Sequence, residues 1–328
     1  MRVLFAGSPA IAVPSLNAIF DLERQGNGVS LAGILTNPDS PRGRRGILVP
    51  TDVSAAALEL DKIRMKEGYS PIPQLKPAKL NARAREEVTA LSPDLLVTFA
   101  YGRIFGPRFL SLFPLGGINI HPSLLPKFRG ASPISSAILA GDTETGICVQ
   151  KLAPEMDTGD ILALERLPIA PNETTGSLSE KVSIRAASLL VKVLLDYKSL
   201  AIEARLQEGE AVYCREIKKE EGLIDLTKSA VEIDAQIRAF TPWPLCYTSR
   251  ENEKLFILEA LPLDAPPEND VQKNTPGTVI GQDKNHGILI QTGRGILAVK
   301  KLQWQAKKAL DWKSFCNGAR DFIGSKLA

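Results

Sequence analysis

Short apolar runs alternate with helical patterns over the first 121 residues, and this alternation limits the fold more than any other feature of the chain. The apolar runs are residues 3–6, 29–35, 95–100 and 117–121, and the helical patterns are about 11–24, 52–66 and 81–91. Buried strands that alternate with helices are typical of a parallel sheet packed between helices. We therefore predict an α/β fold with a doubly wound, mostly parallel sheet, in which functional groups lie beyond the carboxyl ends of the strands.

Beyond about residue 207 the pattern changes to short strands separated by glycine and proline. These strands are predicted at residues 254–261, 277–280, 287–291 and 295–302, and together they favour a small β-barrel. A long helix over residues 175–197 precedes them. A further helix begins after Asp225, with Ser229 as its cap, and should end at Pro242 and Pro244. We predict two domains, residues 1–207 and residues 208–328, the second beginning as a linker.

A polar pair interrupts the apolar run at residues 117–121, and an acidic turn follows later in the chain. Asn119 and His121 are two residues apart, so alternation along a strand places both side chains on one face. The turn begins at Asp157 and reads Asp-Thr-Gly-Asp. An amide can donate to a developing oxyanion, an imidazole can move a proton, and a carboxylate can orient the imidazole. His121 and Asp157 each also have a structural explanation, because histidines pack at strand ends and this acidic run is common in turns.

Several runs resemble those of the 10-formyltetrahydrofolate-dependent formyltransferases. They are residues 5–9, 119–126, 129–130, 157–160 and 238–244. The similarity extends from residue 1 to beyond residue 300 and is densest between 119 and 160. It implies a Rossmann-like variant of the doubly wound sheet, an OB-like barrel, and formyl transfer to an amine with Asn119, His121 and Asp157 as the catalytic residues.

The same resemblance implies 10-formyltetrahydrofolate as the formyl donor. It assigns contact with the folate to the loop Ser123, Leu124, Leu125 and Pro126. A flat pterin requires an apolar slot with polar groups at its edge, and the strand that ends nearby can supply one wall. The residues predicted for that wall are Val97, Phe99 and Ala100. Ordinary packing of the two leucines within the loop is the alternative explanation.

Two groups of basic residues are relevant to the identity of the substrate that accepts the formyl group. Arg42, Arg44 and Arg45 lie among glycine and proline in the loop 37–50. The resemblance to family members that act on an aminoacylated initiator tRNA implies that these arginines meet the tRNA end, where phosphates and unpaired bases are available. Four lysines surround Trp304 and form the second group, either following the tRNA backbone or lying on a solvated surface. They are Lys300, Lys301, Lys307 and Lys308.

Composition removes several other classes of protein. The net charge is only +3, so any contact with nucleic acid depends on local patches. The four cysteines show no C-x-x-C spacing, which argues against a metal site or a disulfide framework and favours a reducing cytoplasm. The turn after the first strand lacks the G-x-G-x-x-G pattern of nicotinamide sites. We find no signal-like or membrane-spanning segment, and we expect a monomer.

Three functions remain open at this point. The first is formylation of an aminoacylated initiator tRNA. The second is the same chemistry on a small amine, an amino-sugar nucleotide or glycinamide ribonucleotide, which would have no need of the arginine loop or the barrel. The third is a non-catalytic RNA-binding module, which the intact set of Asn119, His121 and Asp157 argues against.

Overall fold

The computed structural model describes residues 1–43, 46–251, 253–263, 274–319 and 321–328. This part of the chain forms two compact units. The first comprises Met1–Pro133, Glu144–Pro168 and Ser179–Arg215, and the second comprises Ile134–Thr143, Ile169–Leu178 and Glu216–Ala328.

The first unit is built on a seven-stranded sheet. The strands up to residue 215 are β1 (Arg2–Gly7), β2 (Ser30–Leu35), β3 (Ser40–Arg42), β4 (Ile47–Val49), β5 (Gln74–Leu75), β6 (Leu95–Phe99), β7 (Gly117–His121), β8 (Arg129–Gly130), β9 (Glu144–Lys151), β10 (Ile161–Pro168) and β11 (Tyr213–Cys214). The sheet runs β10-β9-β7-β6-β1-β2-β5, while β3 pairs with β4 and β8 with β11. Only β9 runs against the direction of the other strands, antiparallel to both β7 and β10, so the predicted doubly wound, mostly parallel sheet is confirmed. The sequence patterns did not predict β9 and β10.

The helices predicted from long periodic patterns are present at close to their predicted bounds, and further short helices accompany them. In chain order, the helices of the described residues are α1 (Val13–Arg24), α2 (Asp52–Lys66), α3 (Ala82–Ala90), α4 (Pro107–Leu110), α5 (Pro133–Leu139), α6 (Thr175–Leu195), α7 (Tyr197–Ile202), α8 (Ala230–Ala239) and α9 (Trp312–Gly318). Thr51 and Asn81 cap α2 and α3, because each side chain accepts a backbone N–H of the first turn. Among the described helices, none is both long and apolar enough to cross a membrane.

The sheet has its topological switch between β1 and β6. The chain leaves β1 toward β2 and leaves β6 toward β7, which lie on opposite sides of this pair. Sheets of this type bind their ligands at the carboxyl ends of the strands beside the switch, which are β1 and β6 here. Gly7 ends β1 there, and an added Cβ would lie 2.9 Å from the carbonyl oxygen of Phe99, so only glycine allows this close approach.

Four aromatic rings anchor the connection between β6 and β7. Tyr101, Phe105, Phe109 and Phe113 are spaced four residues apart, and successive ring centroids are 5.3, 5.2 and 5.9 Å apart. All four rings are buried in a core cluster that includes Leu4 and Leu96 of the central strands. Offset ring packing of this kind adds to the stabilisation from burial and fixes where β7 begins.

The second unit contains an antiparallel sheet. Its strands are β12 (Cys246–Arg250), β13 (Glu253–Leu263), β14 (Val279–Asp283), β15 (Gly287–Gln291), β16 (Ile296–Trp304) and β17 (Leu310–Asp311). The order is β12-β13-β16-β15-β14, with β17 on β16. Helix α8 precedes it, and Ser229 caps that helix as predicted, in a reciprocal pair with Glu232.

The last residues of the chain join the two edge strands of this sheet. Ala328 exchanges two backbone hydrogen bonds with Ser249 of β12. On the other edge, the amide of Val279 in β14 donates to Ser325, and the amide of Leu327 donates to Gly277. The sheet is thus closed through residues 325–328, in agreement with the predicted small β-barrel.

Candidate active site

Asn119 and His121 lie in β7, the strand beside the switch point. Asn119 is opposite Thr98 of β6 on one side and Gln150 of β9 on the other. His121 is the last residue of the strand and only 4% exposed, whereas Asn119 is partly exposed. The i, i+2 spacing within one strand therefore brings an amide and an imidazole to the same end of the sheet, as the sequence predicted.

Asp157 reaches these two side chains from the loop between β9 and β10. Its Oδ1 accepts hydrogen bonds from Asn119 Nδ2 at 3.2 Å and Gln150 Nε2 at 2.9 Å. Its Oδ2 accepts from the amide of Gly130 at 2.8 Å and lies 3.5 Å from His121 Nδ1. The three predicted catalytic residues are thus in one cluster, with Asp157 at its centre.

The loop that carries Asp157 has a constrained backbone. Asp157 has φ +55, in the left-handed region that residues with a Cβ seldom adopt. Two residues later, a Cβ on Gly159 would lie 1.8 Å from the carbonyl oxygen of Lys151, so no other residue fits. Non-glycine residues in this conformation persist only where their surroundings hold them, and they cluster at functional sites.

The hydrogen bonds of His121 define where its protons lie. Its Nε2 is 2.8 Å from the carbonyl oxygen of Phe128, which can only accept, so Nε2 carries a proton. A second proton would then occupy Nδ1, facing Asp157. Burial lowers the pKa of His121 below its ordinary value of 6.5, and the Asp157 carboxylate and the Phe128 carbonyl partly oppose this effect. Burial therefore favours the neutral imidazole, and a proton that binds at Nδ1 would lie beside the carboxylate of Asp157.

The loop after β7 holds the residues predicted to contact folate. Ser123 is fully buried, and its hydroxyl donates to the carbonyl oxygen of Lys127 at 2.5 Å, so it stabilises the loop itself. Leu125 is 7% exposed and Pro126 is buried, whereas Leu124 is half-buried and packs over Gly146 of β9. Leu124 is the member of this group with the most accessible side chain.

The predicted second wall is divided between core and surface. Val97 and Phe99 lie in β6 with exposures of 0% and 1%, so both side chains are part of the core. Ala100 follows the strand, is exposed, and has φ +52. Of the three residues, Ala100 alone presents surface at the carboxyl end of β6.

Gln150 and Gln207 belong to this site but have no signal in the sequence patterns, whereas Arg129 and Gly130 form the run 129–130 of the family resemblance and were given no role. Gln150 is buried in β9 and donates to Asp157. Gln207 Nε2 donates to the carbonyl oxygens of Asp157 and Gly159, both at 2.9 Å. Arg129 donates to Gln207 Oε1, and the amide of Gly130 donates to Asp157. Sequence reasoning missed Gln150 and Gln207 because β9 was not predicted and residue 207 was treated only as a domain boundary.

The arginine loop begins and ends at fixed points. Asn37 Nδ2 donates to the carbonyl oxygen of Tyr101 at 3.0 Å, and the hydroxyls of Thr36 and Thr51 are 2.6 Å apart. Arg42 ends β3 of the β3–β4 hairpin. Arg44 and Arg45 lie outside the described residues.

The second basic group is only partly at the surface. Lys301, Lys307 and Lys308 are exposed, and Lys300 is half-buried. Lys307 Nζ lies 3.7 Å from a carboxylate oxygen of Glu253. The Trp304 ring packs on Phe315 and Phe322, with centroids 5.6 and 6.2 Å apart, so Trp304 holds α9 against the sheet.

Two further chemistries have no support at the site. Burial raises the pKa of the Cys148 thiol, opposite His121, to about 11, so the sulfur stays protonated and does not act as a nucleophile. Within the described ranges, no group of three or more His, Cys, Asp or Glu residues is arranged to hold a metal ion.

Comparison with known proteins places the whole chain in one family. A family model for formyl transferase matches residues 1–194, and one for the formyl transferase C-terminal domain matches residues 216–320. A protein named methionyl-tRNA formyltransferase from Treponema denticola is 50% identical over 328 residues, covering 98% of either chain.

Solved structures with the same fold include proteins with folates bound. An N-formyltransferase from Helicobacter canadensis, in complex with folinic acid and dTDP-3-aminofucose, has a TM-score of 0.60 at 19% identity and covers 91% of this chain and 99% of its own. HypX from Aquifex aeolicus, in complex with tetrahydrofolic acid, has a TM-score of 0.59 at 16% identity and covers 98% of this chain and 48% of its own. Such low identity supports the fold alone. The two matched family models and the 50% identity over nearly the full length establish that the chain belongs to the formyltransferase family, among the methionyl-tRNA formyltransferases.

Proposed function

We propose that this protein transfers the formyl group of 10-formyltetrahydrofolate to the amino group of initiator methionyl-tRNA, giving N-formylmethionyl-tRNA for translation initiation. The observation that carries the proposal is the convergence of Asn119, His121 and Asp157 at the carboxyl end of β7. An amide, an imidazole and a carboxylate are the groups that acyl transfer to an amine requires.

The reaction needs two bonds to change and one proton to move. The neutral amine attacks the formyl carbon of the donor, and the carbonyl oxygen becomes an oxyanion. The amine nitrogen then loses a proton, the bond from the formyl carbon to N10 of the folate breaks, and N10 regains a proton. The products are the formylated amine and tetrahydrofolate.

Asn119 is the donor placed to stabilise the oxyanion. One hydrogen of its Nδ2 is directed to Asp157 at 3.2 Å, and the amide carries a second hydrogen on the same nitrogen. Its side chain is partly exposed, whereas His121 is buried with both nitrogens facing protein groups. Since a donor must reach the oxygen where charge develops, Asn119 takes this role rather than His121.

The His121–Asp157 pair is the acceptor for the amine proton. Because Nε2 of His121 already donates to Phe128, an incoming proton would rest on Nδ1, 3.5 Å from Asp157 Oδ2. The imidazolium would then face a carboxylate that offsets its charge. The lowered pKa of His121 allows the proton to be released again to N10.

The formyl donor fits the apolar loop that follows β7. Relatives of the same fold are complexes with folinic acid and with tetrahydrofolic acid, which supports a folate as the formyl donor. We assign the folate to Ser123, Leu124, Leu125 and Pro126, with Ala100 of β6 opposite and Val97 and Phe99 supporting the strand beneath it. Folate is a substrate here, and no metal takes part in the proposed reaction.

The tRNA is assigned to the arginine loop and to the C-terminal region. We propose residues 1–207 as the catalytic, folate-binding domain and residues 208–328 as the linker and tRNA-binding barrel. The name of the Treponema denticola relative supports methionyl-tRNA as substrate, and the chain matches that relative along both regions. We further propose that the protein acts as a monomer in the cytoplasm, where initiator tRNA is charged and used.

One assay tests the reaction and its substrate. The protein is incubated with 10-formyltetrahydrofolate and either methionyl-tRNA or an amino-sugar nucleotide, with the Asn119→Ala variant alongside. Formylated methionyl-tRNA should form with the unmodified protein, and Asn119→Ala should lower turnover by about 10²–10³-fold while the fold is retained. Product from the sugar nucleotide alone would overturn the assignment of the substrate.

A second experiment tests the arginine loop. Replacement of Arg42, Arg44 and Arg45 together by Ala should weaken use of methionyl-tRNA and leave folate binding unchanged, because the loop is assigned to the tRNA. The salt dependence of tRNA binding should also become flatter, since each lost phosphate contact reduces the slope by about 0.7–0.9. Binding is measured at several salt concentrations.

A matched variant controls for the loss of three charges. Arg83, Arg85 and Arg108 lie on α3 and α4, and their replacement by Ala removes the same charge from another surface of the first unit. This control should retain the original salt slope. Equal slopes for the two triple variants would show that the loop acts only through net charge.

A further inference from the structure

A segment between the two family models runs along the catalytic cluster. The models match residues 1–194 and 216–320, so residues 205–214, here called the connecting segment, belong to neither. Arg205 exchanges two backbone hydrogen bonds with Ile161, just after the Asp157 loop. Further along, Val212 and Cys214 form backbone hydrogen bonds with residues 126, 129 and 131, in the loop after β7. The connecting segment therefore links the two loops that hold the catalytic groups.

Gln207 lies at the middle of this contact, and its whole side-chain amide is used. Nε2 donates to the carbonyl oxygens of Asp157 and Gly159, each at 2.9 Å, and lies 3.2 Å from Gln150 Oε1. Oε1 accepts from Arg129 Nε at 3.0 Å and Nη2 at 2.7 Å. A primary amide has two donor hydrogens and one acceptor oxygen, and here all of them face a protein partner.

The hydrogen bonds of Gln207 matter because they hold the backbone of residues 157–159. Asp157 has φ +55, and Gln207 binds the carbonyl of that residue and the carbonyl two residues later. The neighbouring Gln150 fixes the carboxylate itself, through Nε2 to Oδ1 at 2.9 Å. Aspartate adopts the left-handed conformation more readily than most residues, but the conformation is still less populated than extended or helical backbone, and the bonds from Gln207 help to hold it.

We propose that Gln207 is a positioning residue for formyl transfer, which holds the Asp157 loop so that the carboxylate faces Asn119 and His121. Gln207 makes no bond to those two side chains and acts through Asp157. Arg129 orients the Gln207 amide so that its nitrogen, rather than its oxygen, faces the loop carbonyls. This role rests on the proposed function, in which Asp157 takes part in the proton transfer.

The first test separates positioning from binding and from folding. Gln207→Ala should lower kcat by about 10- to 100-fold, the usual effect of removing an outer partner that orients a reactive group, with KM for methionyl-tRNA and for the folate unchanged. Gln207→Glu keeps the size and the partner Arg129 but turns an oxygen toward two carbonyl oxygens, so it should be as impaired as Gln207→Ala. Glu208→Ala, an exposed neighbour, is the control and should retain full activity.

A double-variant experiment tests whether Gln207 acts through Asp157. In an Asp157→Asn background, Gln207→Ala should cause no further loss of kcat, because the group that it positions has lost its function. A full additional loss in that background would overturn the proposal. Wild-type kcat in both Gln207→Ala and Gln207→Glu would do so as well.

A spectroscopic readout distinguishes failure of this role from failure of the proposed function. The chain has two histidines, so the imidazole NMR signals of His121 are assigned with a His286→Gln variant. Gln207→Ala or Gln207→Glu should shift the Nδ1 signal of His121, which faces Asp157, and a thermal melt checks that both variants are folded at the temperature of the measurement. An unmoved signal in both variants would overturn the positioning role. Absence of formylation by the unmodified protein would overturn the proposed function and leave this readout valid.

Discussion

The end of β7 and the turn between β14 and β15 each hold a histidine that faces an aspartate, and the two regions differ in almost every other respect. His121 Nδ1 is 3.5 Å from Asp157 Oδ2, with side chains 5% and 10% exposed. His286 Nδ1 is 2.8 Å from Asp283 Oδ1, with side chains 45% and 41% exposed. The shorter contact is therefore the one in solvent, and distance alone does not identify the functional pair.

Local hydrogen bonds within the turn at residues 283–286 account for the contact between its histidine and its aspartate. Asp283 Oδ1 accepts the amides of Asn285 and His286, both at 2.8 Å, and these hydrogen bonds hold the pKa of the carboxyl below its usual value. An aspartate that binds amides two and three residues ahead is an ordinary turn former. Ion pairs this exposed contribute little to stability, because water screens them.

The cluster at β7 depends instead on distant parts of the chain. Asp157 is hydrogen-bonded by Asn119, Gly130 and Gln150, which come from three segments. Burial opposes protonation of His121 there, whereas nothing local requires a histidine at the end of a strand. Burial of titratable groups and convergence from separate segments distinguish a reaction site from a turn.

Substitution of each histidine gives the largest expected contrast. His121→Asn should lower formylation turnover by about 10²–10⁴-fold, the usual contribution of a positioned acid–base group. His286→Asn is the matched control and should keep the original turnover, since its turn retains the Asp283 hydrogen bonds. Rates are measured with saturating substrates, and both variants are melted to check folding. Similar rates for the two variants would remove the distinction between the regions.

The strands of the sheet were predictable only where both faces are buried. β1 and β6 are short apolar runs in which nearly every residue is buried. β9 is equally buried, but Gly146 and Gln150 interrupt its apolar run. Gly146 is required because an added Cβ would lie 2.5 Å from the carbonyl oxygen of Glu165 in β10, and it would also meet the Leu124 side chain of the loop after β7. Gly146, which the packing requires, and Gln150, which belongs to the site, thus interrupt the apolar pattern by which a strand is recognised.

The members of the proposed catalytic cluster differ in how far the sequence alone could identify them, and the ones with local sequence signals were identified best. Asn119 and His121 share a face because of strand alternation, which a sequence displays directly. Asp157 was assigned by family resemblance, because its turn alone has a structural explanation. Gln150 and Gln207 are 57 residues apart and meet only in the folded chain, so no spacing rule could pair them. Long-range polar contacts of this kind leave no periodic pattern.

Glycine substitutions in the two regions are expected to have effects of intermediate size, and they test the comparison a second time. A Cβ at Gly159 would lie 1.8 Å from the Lys151 carbonyl oxygen, and one at Gly287 would lie 2.2 Å from the Val299 carbonyl oxygen. Gly159→Ala and Gly287→Ala should therefore both destabilise the fold, by at least the roughly 1–3 kcal/mol typical of overpacking. Only Gly159→Ala should also reduce turnover below the melting temperature, because it displaces the Asp157 loop. Denaturant unfolding and activity at low temperature measure the two effects, and loss of turnover in Gly287→Ala would contradict this assignment.

The smallest effect expected is a pH dependence of stability that comes from His121. Burial lowers the pKa of this imidazole in the folded protein below its ordinary value of 6.5. Above pH 6.5 both the folded and the unfolded chain hold it neutral, so it carries no penalty there. As the pH falls from about 6.5 toward the lowered pKa, the unfolded chain binds the proton first and folding loses free energy. Each unit by which the pKa is lowered corresponds to about 1.4 kcal/mol lost at acid pH.

Melting temperatures of the unmodified protein and of His121→Gln, measured from pH 7.5 to pH 5, should therefore diverge, with the steeper fall in the protein that keeps the histidine. Parallel curves would mean that the folded protein admits the charged imidazole without cost, and that its burial does not hold it neutral for the reaction.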